Sequence, residues 1–106
     1  MKTTVVNLRG ADYDTYIGRA GFGEEGDFGN PFVIGKDGDR DTVIEKFKFY
    51  FYERIKRDPV FKADVKKLKG KVLGCFCKPK RCHGDVIAEY LDSPEVQKFV
   101  HETLTY

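Results

Sequence analysis

Residues 71–91 read KVLGCFCKPKRCHGDVIAEYL, and the predicted fold follows from this stretch. Lys71–Cys77 is apolar enough to be a buried strand, and Val86–Leu91 has the pattern of a helix that begins near Cys82 or His83. All three cysteines and one of the two histidines of the chain lie in this segment. A strand that passes through a tight loop into a helix directs backbone N–H groups at one point, so we expect the functional site here.

Other patterns predict the elements that surround this segment. A short β-branched stretch at Thr3–Leu8 is typical of a buried strand. Thr42 and Glu45 have the spacing of a capping box at the start of a long helix. Asp58 ends that helix, and Pro59 opens a second one, because proline is favoured at the first helical position.

The remaining segments are assigned from proline and glycine positions. Ser93-Pro94 predicts the start of a last helix. Its apolar face consists of Val96, Phe99, Val100 and Leu104. The long glycine-rich region before the first helix contains regularly placed aromatic side chains, so we expect an ordered loop over a site, with a hairpin formed by residues 13–17 and 32–34.

This order of elements predicts the fold class. A strand, two helices and another strand, each strand nearly continuous in apolar residues, indicate a parallel sheet with a right-handed crossover. We therefore expect residues 1–106 to form a single α/β domain, a small three-layer Rossmann-like fold with a mostly parallel sheet and helices on both faces. Ligands of such folds bind beyond the carboxyl ends of the strands, where this chain has Asn7, Arg9, Cys75 and Cys77.

Composition indicates a protein of a reducing compartment. The 106 residues are 41% hydrophobic and include nine Phe and six Tyr, which is enough for a core without disulfides. An odd number of clustered cysteines is poor material for a secreted disulfide framework. No segment approaches the ~20 apolar residues of a membrane span, and the first residues lack a signal-peptide core. We expect a cytoplasmic protein with no membrane partner.

Positive charge is concentrated in the middle of the chain. The net charge is +2, but residues 42–83 carry 13 Lys and Arg against four Asp and Glu. Such a region favours a phosphate-bearing ligand or, through the basic helix Thr42–Arg57, nucleic acid. A merely solvated helix face is the simpler interpretation of the helical part.

Three interpretations of the cysteine cluster stay open. Near a helix N-terminus and three basic residues, Cys82 would have a lowered thiol pKa and serve as a nucleophile, with His83 or Asp85 moving protons. Alternatively, Cys75, Cys77, Cys82 and His83 are the ligand types of a Cys₃His zinc site, although a single loop rarely supplies all four. The third interpretation is that small buried cysteines pack a strand–helix corner.

Cationic candidates lie near the glycine-rich region. Arg9, Arg19 and Arg40 are away from the predicted solvated helix faces, and together they could bind a phosphate or carboxylate. Asn30 belongs to a rigid Asn-Pro turn whose amide could contact a ligand. Cys75 and Arg81 also have the Cys-x5-Arg spacing of phosphatase loops, in which the arginine and backbone N–H groups bind an oxyanion.

Several short motifs occur in an order that is more specific than any one of them. They are VVNLR at 5–9, YIGR at 16–19, GNPF at 29–32, DR at 39–40 and LGCFC through CHGD at 73–85. In this order they resemble domain-of-unknown-function family 4326, from about Val5 to Leu91. The resemblance implies a small protein of phages, bacteria or archaea with its site in these motifs, and it implies no particular activity.

Together these observations predict a site for a small anionic ligand, a nucleotide or sugar-phosphate, at the Cys75–Asp85 loop and the neighbouring arginines. The catalytic candidates are Cys82, His83 and Asp85. The ligand-binding candidates are Arg9, Arg19, Asn30, Arg40, Cys75 and Cys77. This interpretation assigns no metal and leaves the cofactor open. The protein would be either a nucleotide-related hydrolase or transferase, or a non-catalytic nucleotide-binding module. The alternative is a zinc-binding protein, with Cys75, Cys77, Cys82 and His83 as ligands, that contacts nucleic acid.

Overall fold

Three short strands and four helices form the part of the chain that this computed structural model describes, residues 2–19 and 26–103. The strands are β1 (Thr4–Asn7), β2 (Thr15–Tyr16) and β3 (Val72–Cys75). The helices are α1 (Arg40–Arg57), α2 (Pro59–Lys66), α3 (His83–Asp92) and α4 (Pro94–Thr103). None of these described helices combines the length and the apolar character needed to cross a membrane. The fold is mixed α/β, as predicted.

The central strand of the sheet is β3, and the order is β1-β3-β2 with both neighbours parallel to it. Val5 pairs with Leu73, and Tyr16 pairs with Gly74. Leu73 is fully buried, which explains why β3 is nearly continuous in apolar residues. Gly74 lies against the ring of Tyr13, and a Cβ atom there would come within 2.7 Å of that ring. The predicted parallel sheet is confirmed.

Two predictions about the sheet are wrong. The chain leaves the sheet after Cys75, so the predicted strand does not continue to Cys77. The predicted hairpin is absent from the described residues, because β2 pairs with β3 and Ile34 makes only an isolated bridge to Gly38. Gly35 and Gly38 have positive φ values of 91° and 137°, so the chain turns back at once instead of extending.

Acidic side chains cap the first two helices. Asp39 is the N-cap of α1 and accepts a hydrogen bond from the Thr42 N–H at 2.8 Å, which lowers the pKa of Asp39. The prediction of Thr42 as N-cap with Glu45 at N3 is therefore wrong, because a carboxylate three residues earlier supplies the acceptor and suits the helix dipole. The predicted role of Asp58 is confirmed, since it ends α1 and accepts two N–H groups of α2.

Helix α1 packs against all three other helices that the structure describes. It contacts α2, α3 and α4, and α3 also packs against β1. The buried apolar side chains include Ile17, Phe47, Phe51, Ile55, Val65, Leu73, Ile87, Tyr90 and Val100. The predicted apolar face of α4 is confirmed for Val100 and for Val96, which packs against this core. It is wrong for Phe99, which is 58% exposed, and Leu104 lies outside the described residues.

A polar anchor fixes the start of β1. Asp92, at the end of α3, accepts hydrogen bonds from the Thr3 N–H at 2.8 Å, the Thr3 hydroxyl at 2.9 Å and the Lys69 ammonium at 2.6 Å. The Thr3 hydroxyl in turn accepts from the Gly70 N–H at 3.0 Å. Although burial opposes ionisation, the hydrogen bonds from Lys69 and Thr3 lower the pKa of Asp92.

Candidate functional site

A cleft of about 450 Å³ lies where β2 and β3 end and where α1 and α3 begin. Its lining residues are Tyr16, Gly18, Arg19, Asn30, Phe32, Val33, Ile34, Arg40, Val43, Ile44, Cys75, Phe76, Cys77, Arg81, Cys82 and His83. The carboxyl edge of a parallel sheet is where α/β folds bind their ligands, because side chains and helix N-termini converge there. The cleft is therefore the candidate site.

Most of the candidate residues from the sequence meet in this cleft. Seven line it, namely Arg19, Asn30, Arg40, Cys75, Cys77, Cys82 and His83. The other two, Arg9 and Asp85, are not among its lining residues. The guanidinium of Arg9 lies 5.3 Å from the centre of the Phe76 ring in a cation–π contact.

Cys75 and Cys82 form a close pair of thiols at the base of the cleft. Their Sγ atoms are 3.0 Å apart, and each residue is only 1% exposed. Cys75 is the last residue of β3, and Cys82 is the N-cap of α3, where its Sγ accepts the Gly84 N–H at 3.1 Å. Gly84 admits this close packing, because a Cβ atom there would lie 2.6 Å from the Cδ1 atom of Ile17.

The two thiols have opposite pKa shifts. The hydrogen bond with Cys82, together with those from the Cys77 and Lys78 backbone, lowers the pKa of Cys75 to about 6 although burial opposes this shift. The pKa of Cys82 is raised, because its proton is held by Cys75 and because burial and the neighbouring negative charge disfavour a second thiolate. These directions favour a thiolate at Cys75 over the lowered pKa expected at Cys82, and the two sulfurs share one proton. The nucleophilic role of Cys82 stays a prediction.

His83 is a buried side chain in the wall of the cleft. Its Nε2 atom lies 2.6 Å from the Ile17 carbonyl oxygen, and since a carbonyl only accepts, Nε2 carries the proton. The ring packs edge-on against Phe47 at 5.1 Å. Burial lowers the pKa of His83, so the imidazole is neutral at pH 7 with one proton committed to the backbone.

Asp85 has a structural role at the start of α3. One carboxylate oxygen accepts the Cys82 N–H at 3.1 Å and completes a capping box, and the other pairs with the Lys78 ammonium. These contacts hold the loop between β3 and α3 against the helix. The predicted proton-transfer role of Asp85 gains no support from this geometry, since the side chain is outside the cleft wall.

The four cysteine and histidine residues do not form a zinc cage. Within the described ranges, no group of three or more His, Cys, Asp or Glu side chains is arranged to hold a metal ion. The ring of His83 contacts Ile17 and Phe47 instead of joining the thiols. The Cys₃His ligand set proposed as an alternative from the sequence is therefore not assembled.

Arg19 and Asn30 tie the glycine-rich region into the cleft wall. Arg19 donates to the carbonyl of Asn30 at 2.9 Å and to that of Phe32 at 2.6 Å. The buried Asn30 amide donates to the Val43 carbonyl at 3.2 Å, and its oxygen accepts the Phe32 N–H at 2.9 Å. Both polar ends of Asn30 are thus used to anchor the turn to α1.

Arg40 and Arg81 also line the cleft, and their electrostatic surroundings differ. Arg81 contacts the carboxylates of Glu45 at 2.8 Å and Asp41 at 3.1 Å, which raise its pKa. Arg40 donates to the Arg81 carbonyl at 3.1 Å. Two acidic side chains therefore offset the charge of Arg81, whereas Arg40 contacts a neutral oxygen.

Comparison with known sequences confirms the family that the sequence resembles. The family described as domain of unknown function (DUF4326) matches residues 2–93. The chain belongs to this family. It is 45% identical over 89 residues to an uncharacterized 12.4 kDa protein in the nrdA-td intergenic region of Enterobacteria phage T4. That match covers 83% of this chain and 76% of the phage protein. No solved structure matches the chain.

In this member of the DUF4326 family, sequence reasoning missed the apolar part of the site. Tyr16, Phe32 and Phe76 form aromatic walls, and the Tyr16 and Phe76 rings meet edge-on at 6.2 Å. The signal that could have identified Phe76 is a large aromatic residue between two cysteines just past a strand end. Gly29 is also informative, because a Cβ atom there would lie 2.7 Å from the Gly18 carbonyl oxygen.

Proposed function

We propose that the cleft binds a small anionic ligand of the nucleotide or sugar-phosphate class. The observation that carries this proposal is the combination of two arginines, Arg19 and Arg40, with aromatic walls in one cleft at the carboxyl edge of the sheet. Guanidinium groups bind phosphate oxygens through charge-assisted hydrogen bonds. Aromatic rings provide the complementary surface for a base or for the apolar face of a sugar.

The partners of the arginines support an anionic ligand. Among the described residues, the side chains of Arg19 and Arg40 contact carbonyl oxygens and no carboxylate. Their positive charges are therefore not neutralised by these contacts. Arg81 differs, since Asp41 and Glu45 already balance it. We assign phosphate binding to Arg19 and Arg40 and a positioning role to Arg81, whose carbonyl accepts from Arg40.

Two helix N-termini add to the positive potential of the cleft. The first turn of α1 supplies Arg40 and Val43 to the wall, and the start of α3 supplies Cys82 and His83. The positive end of a helix dipole favours a bound anion over roughly the first turn. A phosphate near either helix start would gain from the dipole as well as from the arginines.

The size and walls of the cleft suit a nucleotide. A volume of about 450 Å³ falls within the range of small-molecule sites. Phe76 is 45% exposed, and Tyr16 and Phe32 lie in the same cleft. The Cys75 thiolate is itself negative, so the phosphate is expected beside the arginines and the uncharged part of the ligand toward the sulfur.

A nucleotide-related transferase or hydrolase is the second candidate function. The lowered pKa of Cys75 favours it, because a thiolate is a strong nucleophile at neutral pH. In that case the attacking atom would be the Cys75 sulfur, with the Cys82 thiol as its hydrogen-bond donor. A non-catalytic binding module needs only the arginines and the helix starts.

Two broader expectations belong with this proposal. The three-layer Rossmann-like arrangement, with helices on both faces of the sheet, stays a prediction. So does a cytoplasmic location, for which the odd number of clustered cysteines is the support, since such a set is poor material for a secreted disulfide framework.

Calorimetric titration with a small panel tests the proposal. The panel contains four nucleoside monophosphates, ribose 5-phosphate, inorganic phosphate, the unphosphorylated nucleosides and ribose. We expect at least one phosphorylated compound to bind in the micromolar to millimolar range, and its nucleoside or sugar alone to bind at least ~10-fold more weakly, because a charge-assisted phosphate contact is lost. Equal binding of nucleosides and nucleotides, or no saturable binding of any panel member, would contradict it.

A further inference from the structure

We infer that Cys75 and Cys82 are a peroxide-reactive dithiol, in which Cys75 attacks a small hydroperoxide and Cys82 then closes an intramolecular disulfide. This inference does not depend on the proposed anion site. It rests on the position, burial and hydrogen bonding of the two thiols at the base of the cleft.

The geometry is that of an attacking and a resolving thiol. The two sulfurs are 3.0 Å apart, so they need to approach by only about 1 Å to reach the ~2.05 Å of a disulfide. The Cys75 sulfur accepts from the Cys82 thiol and from the Cys77 and Lys78 backbone, which stabilises a thiolate there. Cys82, the N-cap of α3, stays protonated, and its sulfur lies next to Cys75 for the second step.

The burial of the two thiols favours a small oxidant over a bulky one. Both thiol residues line the cleft but are only 1% exposed, so a bulky disulfide would have difficulty aligning its two sulfurs with Cys75. A hydroperoxide as small as hydrogen peroxide can enter through the cleft. The titratable and charged groups facing the pair are Cys77 and Lys78, and Lys78 is paired with Asp85.

Both steps balance. In the first, the Cys75 thiolate attacks one peroxide oxygen, the O–O bond breaks, and the departing hydroxide takes a proton from solvent to form water. Cys75 is thereby oxidised to a sulfenic acid. In the second, the Cys82 sulfur attacks the Cys75 sulfur, the S–O bond breaks, and the departing hydroxyl leaves as water with the Cys82 proton. The protein loses two electrons and the peroxide gains them.

The test treats the folded protein with hydrogen peroxide and follows it by intact-mass and peptide-mapping mass spectrometry. We expect the wild-type protein to lose about 2 Da by forming a bridge between Cys75 and Cys82. Cys77→Ser is the matched control, since it removes the third cysteine of the same cleft, and it should form the same bridge. Cys82→Ser should stop at a Cys75 sulfenic acid that dimedone traps, and Cys75→Ser should lose the reaction.

The rate supplies an independent readout on the wild-type protein. At about pH 6.5, Cys75 should react roughly fivefold faster than free cysteine, since its larger thiolate fraction outweighs the lower nucleophilicity of a weaker base. A bridge that includes Cys77, the absence of any bridge in folded protein, or a rate no greater than that of free cysteine would each overturn the inference.

Discussion

Arg40 is the side chain in which the proposed anion site can be tested most cleanly. It lies at the start of α1, lines the cleft and donates to one backbone carbonyl, so its loss should leave the fold intact. Arg19 is less suitable, because it also holds the Asn30 and Phe32 carbonyls in place.

We predict that Arg40→Ala weakens binding of a nucleoside monophosphate by about 1.5–3 kcal/mol, or roughly 10- to 150-fold, the range for a charge-assisted hydrogen bond. The matched control is Arg57→Ala, which removes the same charge from the other end of α1, where the side chain is 77% exposed and pairs with Glu53. Calorimetry at about 0.15 M salt should give this control the wild-type affinity, since distant exposed charges are screened. Equal losses of affinity in both variants would mean that the ligand responds only to the overall charge of the protein and that Arg40 does not contact it.

The Cys75 thiolate is the second feature at the residue scale. Its pKa is about 6, so the thiolate forms as the pH rises through that value and is lost as the pH falls below it. We predict that Cys82→Ala moves this step up toward the ~8.5 of an ordinary thiol, because the hydrogen bond that contributes most is removed.

Ultraviolet absorbance of the thiolate, followed against pH, measures this step. Cys77→Ser serves as the control and should keep the wild-type midpoint, and Cys75→Ser should lack the low step altogether. An unchanged midpoint in Cys82→Ala would show that the Cys82 thiol does not stabilise the Cys75 thiolate.

At the scale of elements, Asp58 joins two helices. Its backbone N–H donates to Arg54 at the end of α1, and its carboxylate accepts the N–H groups of Val60 and Phe61 at the start of α2. We predict that Asp58→Ala lowers the free energy of unfolding by about 1–2 kcal/mol, the usual cost of losing an N-cap. The measurement is urea denaturation.

Asp64→Ala is the comparison for this variant. Asp64 lies within α2, is 43% exposed like Asp58, and makes a single ion pair with Lys67 at 3.7 Å. Exposed pairs of this kind contribute little, so we expect a change within about 0.5 kcal/mol. If both variants lose the same stability, the effect of Asp58 is one of charge and not of capping.

The same scale explains which elements the sequence predicts well. The junction at Asp58-Pro59 and the helix that follows Cys82 depend on local hydrogen bonds and proline geometry, which a few residues encode. The predicted hairpin does not form because residues 15–16 pair with β3, almost 60 positions later, and no local pattern specifies that partner. The sequence predicts Thr42 as the N-cap of α1, because the actual N-cap, Asp39, lies outside the apolar pattern that indicates the helix.

In the candidate site, too, the sequence predicts what neighbouring residues encode and misses what depends on contacts formed in the fold. Arg19, Arg40 and the cysteine loop were found as motifs, whereas the opposite pKa shifts of Cys75 and Cys82 arise from a 3.0 Å contact between residues seven positions apart. Helix position alone favours a thiolate at Cys82. The contact makes the two sulfurs share one proton, and the Cys77 and Lys78 backbone next to Cys75 favours the thiolate there. Only the fold contains that information.

For the whole molecule, the anchor at Asp92 links the start of β1 to the end of α3. Because hydrogen bonds lower the pKa of Asp92 in the fold, its carboxylate contributes stability above the unfolded pKa of ~3.9, and this contribution is lost as the pH falls through the lower folded value. We predict that Asp92→Asn costs about 1–3 kcal/mol of unfolding free energy at pH 7.

Denaturation at a series of pH values checks this prediction. Below about pH 4 the wild-type protein should lose stability faster than Asp92→Asn, so that the difference between the two narrows. If the difference in unfolding free energy between the two proteins stays constant down to about pH 2, the negative charge of Asp92 does not stabilise the fold.

The most direct test of the account is residue-resolved NMR of the protein titrated with adenosine monophosphate. The central claim is that the cleft, and not the basic surface of α1, takes the ligand. We predict saturable shifts in the backbone amides of Arg19, Asn30, Arg40 and the loop from Cys75 to His83. Shifts that instead concentrate on the exposed basic end of α1 near Arg57, or that never saturate, would contradict it.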